Sequence, residues 1–302
     1  MAEPSDALPP PAGPERPPSG LTRLSARVRR IVAPNPSPFT FTGTCVYIVG
    51  EGEVAVIDPG PADPAHVDAL LAAISGERVT RIVVTHSHRD HAGGAALLQR
   101  RTGAPVVGAR AHLVADGKPT RADASHALDY APDETLDDGA RLAGRGFTLE
   151  AVATPGHAAN HLSLALVEEN ALFSGDHVMA WSTSVVAPPD GSMRAYLASL
   201  EKVARRSETI YWPGHGGPVR DPQRYVRAMI SHRRQREAAI LARLDAGEAN
   251  VAEIVARVYP SLAPALVGAA SLSTLAHLAD LTERGLTASD GAITLEARFR
   301  RV

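Results

Sequence analysis

Thr85-His86-Ser87-His88-Arg89-Asp90-His91-Ala92-Gly93-Gly94 stands between a β-branched run, Arg81-Ile82-Val83-Val84, and an amphipathic stretch that ends at Gly103. The run reads as a strand, and the stretch, residues 92–101, as a helix closed by a glycine. His86 and His88 are two apart in extended chain, so their imidazoles can leave on the same side. Asp90 and His91 fall at the turn into the helix, from which they can aim at a neighbouring point. Two adjacent groups of ligands can hold two cations, and Gly93 with Gly94 permits a tight helix entry beside them.

Three later segments repeat the placement. Thr154-Pro155-Gly156-His157, Ser174-Gly175-Asp176 and Pro213-Gly214-His215-Gly216 each follow an expected strand, at 147–153, 171–174 and 209–212. Each puts a His or Asp at a strand's C-terminal end, where loops converge on a common edge. One such segment alone could be a turn with an exposed polar side chain. Three of them in order after the first motif point to a site.

The composition fits this reading. The chain has 302 residues, 44% hydrophobic and 21% charged, the mix of a soluble globular protein with a sizeable core. Twelve histidines beside a single cysteine, Cys45, suit nitrogen and oxygen ligands and exclude a disulfide framework or a Cys-cluster metal site. The formal net charge of −2 argues against a wholesale polyanion binder. No apolar run is expected to reach the roughly 18 residues a bilayer span needs, so no membrane partner is expected.

Residues 1–20 hold seven prolines and almost no large apolar side chains, and read as a disordered tail. Arg23, Arg27, Arg29 and Arg30 could belong to an organelle signal, but Val28, Ile31 and Val32 look like the first strand of the fold. With no apolar segment of the secretory type, a cytoplasmic location is expected. Strands at 46–49 and 54–57, a helix from the Asp63 cap to residue 74, a strand at 161–167 and a helix at 193–205 continue an α/β alternation over a domain expected at 21–222.

After Pro218 the strands nearly vanish. Residues 224–244 read as one helix or two, Asn250 and Glu253 as a capping box, 271–284 as a helix closed by Gly285, and 292–299 as a final strand. Helices followed by a wing suggest a winged-helix-like domain at 223–302. From Pro218 on the chain carries 12 Arg and no Lys against 9 Asp and Glu, a net +3, which leaves −5 for the rest.

With THSHRDH, TPGH, SGD and PGHG in this order, the chain resembles the metallo-β-lactamase superfamily over roughly residues 25–220. The resemblance implies an αββα sandwich with a centre of two divalent metal ions at one sheet edge, most often zinc, with manganese or iron as alternatives. Carried over position by position, His86, His88 and His157 would bind the first metal. Asp90, His91 and His215 would bind the second, and Asp176 would bridge both. Asp58 is expected to fix the tautomer of a ligand imidazole from outside the ligand set, with His161 behind the ligands or near the substrate. The tail, with the run Ser231-His232-Arg233-Arg234-Gln235-Arg236-Glu237, resembles the winged-helix end of the lactamase-beta-like-2 subfamily, whose animal members are mitochondrial endoribonucleases.

Departures sort the superfamily. Flavin-linked di-iron reductases have Glu where His88 stands, the best-known antibiotic-hydrolysing branch has Cys where Asp176 stands, and glyoxalase II enzymes have a second His where Ser87 stands. The processing-type RNA nucleases carry a long insertion for which the motifs leave no room.

The expected activity is that of a metal-dependent hydrolase, with a metal-bridging hydroxide attacking an ester, thioester or similar small carbonyl substrate. Asp90 would orient the nucleophile and accept its proton. Cleavage of single-stranded RNA is the alternative, disfavoured by the −5 catalytic part and by only 4% aromatic residues for stacking bases. A nucleic-acid-binding regulator that senses a metal is the third reading. His66, His112, His126, His232 and His277 have no companions at ligand spacing and read as surface or packing residues. His177 reads as pocket wall or packing, and Cys45 as a core residue.

Overall fold

Strand β3 (Cys45–Glu51) buries every residue but its last, which a strand does only when both its faces are covered. In the computed structural model, which describes residues 15–111 and 125–302, the two faces look into different cores. Cys45, Tyr47 and Val49 join a cluster with Phe147, Leu149, Leu164 and Phe173, whereas Val46 and Ile48 join one with Val67, Leu70 and Leu98. The period of two thus divides one strand between a sheet-on-sheet core and a sheet-on-helix core.

The first sheet has seven strands in spatial and chain order: β1 (Thr22–Arg23), β2 (Val28–Val32), β3, β4 (Glu53–Ile57), β5 (Arg78–Val84), β6 (Val106–Gly108) and β7 (Glu134–Thr135). Helices α1 (Pro64–Ala73), α2 (Arg89–Ala92) and α3 (Ala95–Thr102) follow β4 and β5, and α1 and α3 cover the sheet's outer face. Asp63 caps α1 by accepting from the Ala65 amide. The second sheet comprises β8 (Arg141–Gly144), β9 (Phe147–Ala153), β10 (Leu162–Leu166), β11 (Ala171–Gly175) and β12 (Ile210–Pro213), in spatial order β12-β11-β10-β9-β8. Helices α4 (Met193–Ala204) and α5 (Pro222–Asp245) pack on its outer face through Tyr196, Leu200, Val226 and Met229. This is the expected αββα sandwich.

The segment after Pro218 holds α5 as one helix of 24 residues, then α6 (Val251–Val258), α7 (Val267–Glu283) and a hairpin of β13 (Thr287–Ser289) with β14 (Phe299–Arg301). The Asn250–Glu253 capping box forms as read. The expected division at residue 222 falls at the start of α5. Its first half packs on the second sheet and its second half, through Ile240 and Leu244, lies in the C-terminal core.

Three expectations need correction. The last strand is not at 292–299: Ile293 and Leu295 stay exposed, and pairing begins at fully buried Phe299, which also exchanges both backbone hydrogen bonds with Ala249. The proline-rich tail lies outside the described residues up to residue 14, but from Glu15 the chain lies on the body. Pro17 is buried, Arg16 sits 4.8 Å over the Phe41 ring, and Glu15 pairs with Arg220 at 3.3 Å. Third, residues Pro264–Glu283 are long and apolar enough to cross a membrane by length and composition alone. The inward face of that segment is instead buried in the core through Leu275, Leu278 and Leu281.

His277, 1% exposed on α7, has no hydrogen-bond partner on either ring nitrogen among the described residues. Burial, then the positive neighbour Arg233, then His232 and Arg284, push its pKa down to about 3 from 6.5. The unfolded chain takes this proton first as pH falls, so the stability due to neutral His277 is complete above about pH 6.5 and is lost progressively toward about 3. In urea titrations, His277→Leu is expected to reduce the loss of stability between pH 7 and pH 5 by roughly 1–2 kcal/mol. An unchanged pH dependence counts against it.

Candidate metal centre

The parallel strands β4 and β5 end at the same edge, and so do β9, β11 and β12 of the facing sheet. The loops after them carry Asp58, residues 85–91, His157, Asp176 and His215. His86, His88 and His157 form one group of potential ligands; Asp90, His91 and His215 form a second, and His86, His91 and Asp176 a third. All seven side chains expected at the centre are therefore brought together.

The hydrogen bonds set which ring nitrogen faces inward. His91 Nδ1 lies 2.9 Å from Asp58 Oδ2, His157 Nδ1 is 2.7 Å from the Val185 carbonyl, and His215 Nδ1 is 3.2 Å from the Gly43 carbonyl. Each of these three Nδ1 atoms donates, so each ring turns its Nε2 inward. Thr85 uses its only hydroxyl proton on Asp58, so at 3.0 Å it must accept from His86 Nδ1–H. His86 Nε2 then faces inward as well.

These inward nitrogens converge. His86 Nε2 and His157 Nε2 lie 3.1 and 3.0 Å from His88 Nδ1, and His91 Nε2 lies 3.3 Å from His215 Nε2. Asp176 stands between the two sets: Oδ1 is 3.4 Å from both His91 and His215, and Oδ2 is 3.6 Å from His157. Its Oδ1 is buried with no hydrogen-bond partner among the described residues. Imidazole nitrogens facing one another around a carboxylate oxygen without a hydrogen-bond partner are the donor set of a cation site, so these residues fit metal ions.

Charge in the pocket is divided in the same way. Burial, then neighbouring His157, hold His88 down to about 3, and burial with His91 and His88 nearby keeps His86 well below the usual histidine range. Burial opposes a proton on His91 and His215 too. There, however, the carboxylates prevail: Asp90, Asp176 and Asp58 hold His91 well above its ordinary value, and Asp176 above all lifts His215 to about 9. Conversely, burial works to raise Asp90 and Asp176, and the imidazoles of His91 and His215 lower both.

Asp58 lies against His91 and Thr85. One of its oxygens accepts from the Thr85 amide and the other from the Thr85 hydroxyl and His91. It holds this position at a backbone φ of 50°, a left-handed conformation that a non-glycine residue adopts at a cost. His161 is not in a ligand group; its Nε2 accepts from the Asp176 amide at 3.1 Å, so it orients the backbone of that aspartate from behind.

Sequence reading missed His126. It is grouped with His88 and Asp190, its Nδ1 lies 2.7 Å from Ser87 Oγ, and its Nε2 lies 3.4 Å from Asp190. Nothing in local spacing could have shown this, because His126 and Asp190 are far apart in sequence. His112 lies outside the described residues. His177 packs against Tyr196 with ring centroids 5.0 Å apart, and His232 and His277 are packing residues. Cys45 is a core residue whose thiol burial pushes up to about 11.

Residues 39–215 match the metallo-beta-lactamase superfamily, and residues 251–295 match the beta-lactamase associated winged helix domain. The chain is 33% identical over 225 residues to the beta-lactamase-like protein 2 homolog of Caenorhabditis elegans, covering 73% of this chain and 72% of that protein. It is 32% identical over 228 residues to the atrochrysone carboxyl ACP thioesterase of Aspergillus fumigatus, covering 73% of this chain and 66% of that protein. A beta-lactamase domain protein from Burkholderia ambifaria shares the fold with a TM-score of 0.78 at 20% identity, over 93% of this chain and 94% of that one.

Proposed function

The chain belongs to the metallo-beta-lactamase superfamily and is a hydrolase of that family; from this premise we propose that it cleaves a thioester or ester of a small organic acid with two divalent cations, zinc in the first instance. The observation that carries the proposal is Asp176, whose two oxygens face two separate sets of imidazole nitrogens. A relative 32% identical over 228 residues bears the name of a thioesterase, which favours a thioester.

His86, His88 and His157 with Asp176 would hold one cation, and Asp90, His91 and His215 with Asp176 the other. When bound, such cations supply a water acidic enough to attack near neutral pH and draw electron density from the substrate carbonyl. Asp58, Val185 and Gly43 keep the three Nδ1 protons facing outward, so His91, His157 and His215 would offer Nε2 without rearranging, His91 and His215 first giving up the Nε2 proton that the carboxylates favour there. The two carboxylates differ in access. The Asp176 side chain is 9% exposed and holds its place as a shared ligand, whereas that of Asp90 is 28% exposed and can receive the proton of the attacking water. The reaction adds one water across the C–S or C–O bond and releases an acid and a thiol or alcohol.

The test is a metal count followed by a panel of acyl thioester, aryl ester, lactone and single-stranded RNA. Two metal ions per chain are expected, with thioester turnover that is lost in Asp176→Ala. A protein that binds no metal after reconstitution, or one that cleaves only RNA, overturns the proposal.

A further inference from the structure

The run Ser231–Glu237 on α5 has so far played no part in the chemistry. Its arginines point to different tasks. Arg234 is an exposed partner of Glu201, and Arg236 donates to the Val258 carbonyl at the end of α6. Arg233 turns inward. It is 3% exposed, its Nη2 donates to the Ser184 carbonyl, and its guanidinium lies 5.2 Å over the Tyr196 ring. Among the described residues no carboxylate pairs with it, and its Nε has no hydrogen-bond partner.

The loop that Arg233 reaches is the one that fixes two of the ligands. Ser184 Oγ donates to the Asp176 carbonyl at 2.5 Å and lies 2.9 Å from that of His177. The Val185 carbonyl receives the His157 Nδ1 proton. From the other side, the Val186 amide donates to Ser273 Oγ on α7 at 3.4 Å. Three consecutive residues outside any regular element are thus tied to α5 and α7 at one end and to Asp176 and His157 at the other. A buried guanidinium without a counter-ion is a poor way to add stability, since a well-packed apolar side chain avoids its desolvation cost. Its use here is geometric.

We propose that Arg233, assisted by Ser273, is a positioning residue of the metal centre: the C-terminal helices set the loop at 184–186, and through it the orientation of His157 and the backbone of Asp176. The proposal rests on the reading of the cluster as a metal centre. It makes the winged-helix region part of the hydrolase site and not an independent appendage.

Arg233→Met and Arg233→Lys, prepared in the full chain, test it by competition with a chromophoric chelator and by the visible spectrum of the cobalt-loaded protein. Ligands held by outer partners typically lose 10–100-fold in metal affinity when the partner is removed. For Arg233→Met the expected result is about a tenfold loss with an altered cobalt spectrum, kcat falling more than KM changes. The lysine variant, which keeps one donor and the charge, recovers part of each. If Arg233→Met does not fold, Ser273→Ala carries the test, with an expected loss of about threefold, below the usual range because its bond is long. Wild-type affinity and spectrum in a folded variant that has only lost thermal stability overturn the proposal. Wild-type protein that takes up no cobalt overturns instead the metal reading on which it rests, so the two failures are distinguishable.

Discussion

Asp176→Ala is expected to reduce thioester turnover by a factor of about a thousand or more, corresponding to about 4 kcal/mol of lost transition-state stabilisation. Among the described residues, Asp176 is the only carboxylate placed between the two nitrogen sets, with Oδ1 3.4 Å from His91 and His215 and Oδ2 3.6 Å from His157. Without it, five imidazoles and Asp90 would have to hold two doubly charged cations with one anionic ligand fewer. The metal content should therefore fall from two ions per chain toward one or none. Because the methyl group of alanine fits wherever the aspartate did, the fold should persist, and circular dichroism should be unchanged. Asp176→Asn keeps the shape and removes the charge, so it should lie between the two. Elemental analysis and initial rates decide the matter; an alanine variant that keeps a tenth of the activity with both metals in place would show that the centre is not assembled around this residue.

Gly156→Ala should be strongly destabilising, at about 3 kcal/mol or more. Gly156 has φ of 142°, a region side-chain-bearing residues rarely enter, and a Cβ there would lie 2.3 Å from the Cα of Tyr196 and 2.5 Å from its amide nitrogen. Both obstacles are backbone atoms of α4, so no rotamer change relieves the clash. The chain on either side is tied down: the Ser192 amide donates to the Gly156 carbonyl at 2.9 Å, and Ser192 caps α4. Relief must come from moving the loop that ends in His157, so metal affinity falls together with stability. Gly268, on the exposed side of α7 with open space around its missing Cβ, is the control; there alanine should be neutral or gain up to about 1 kcal/mol. For a chain of this size, calorimetry should separate the two variants by at least roughly 6 °C. Equal melting temperatures would mean that α4 yields more easily than its packing suggests.

Gly214 shows the same economy of space within the centre. A Cβ there would lie 2.5 Å from Asp176 Oδ1 and 2.6 Å from His91 Cε1, so the glycine before His215 leaves room for the ligands themselves. In the sequence this position reads only as part of a Pro-Gly turn. Its role against the ligands becomes visible once β11 and β12 run parallel and bring Gly175 and Gly214 side by side.

The His and Asp cluster was legible because the chemistry expected of it demands particular side chains. Imidazoles and carboxylates at His86, His88, Asp90 and His91 sit within one strand-to-helix turn, and His157, Asp176 and His215 each end a strand next to a glycine. The sandwich was legible for a related reason, since both-faced burial writes itself into runs such as Val46–Val49 and Val54–Ile57. The hairpin at the C-terminus was misplaced because alternation at Ile293 and Leu295 imitates a strand, while Phe299 alone finds a core to enter.

By itself, then, the amino-acid order, read through its resemblance to a known family, pointed to the fold class and to the seven His and Asp side chains that the fold brings together, because those motifs keep residue type and spacing in the chain. Only the tertiary structure decided how those side chains are held. Val185 and Gly43 act through carbonyl oxygens that every residue possesses, His126 meets His88 and Asp190 across loops far apart in the chain, and Arg233 reaches the Ser184 carbonyl from α5, far along the chain. Backbone groups carry no residue signature, and contacts between distant segments leave no spacing to read, so the support of the centre appears only when the chain is folded.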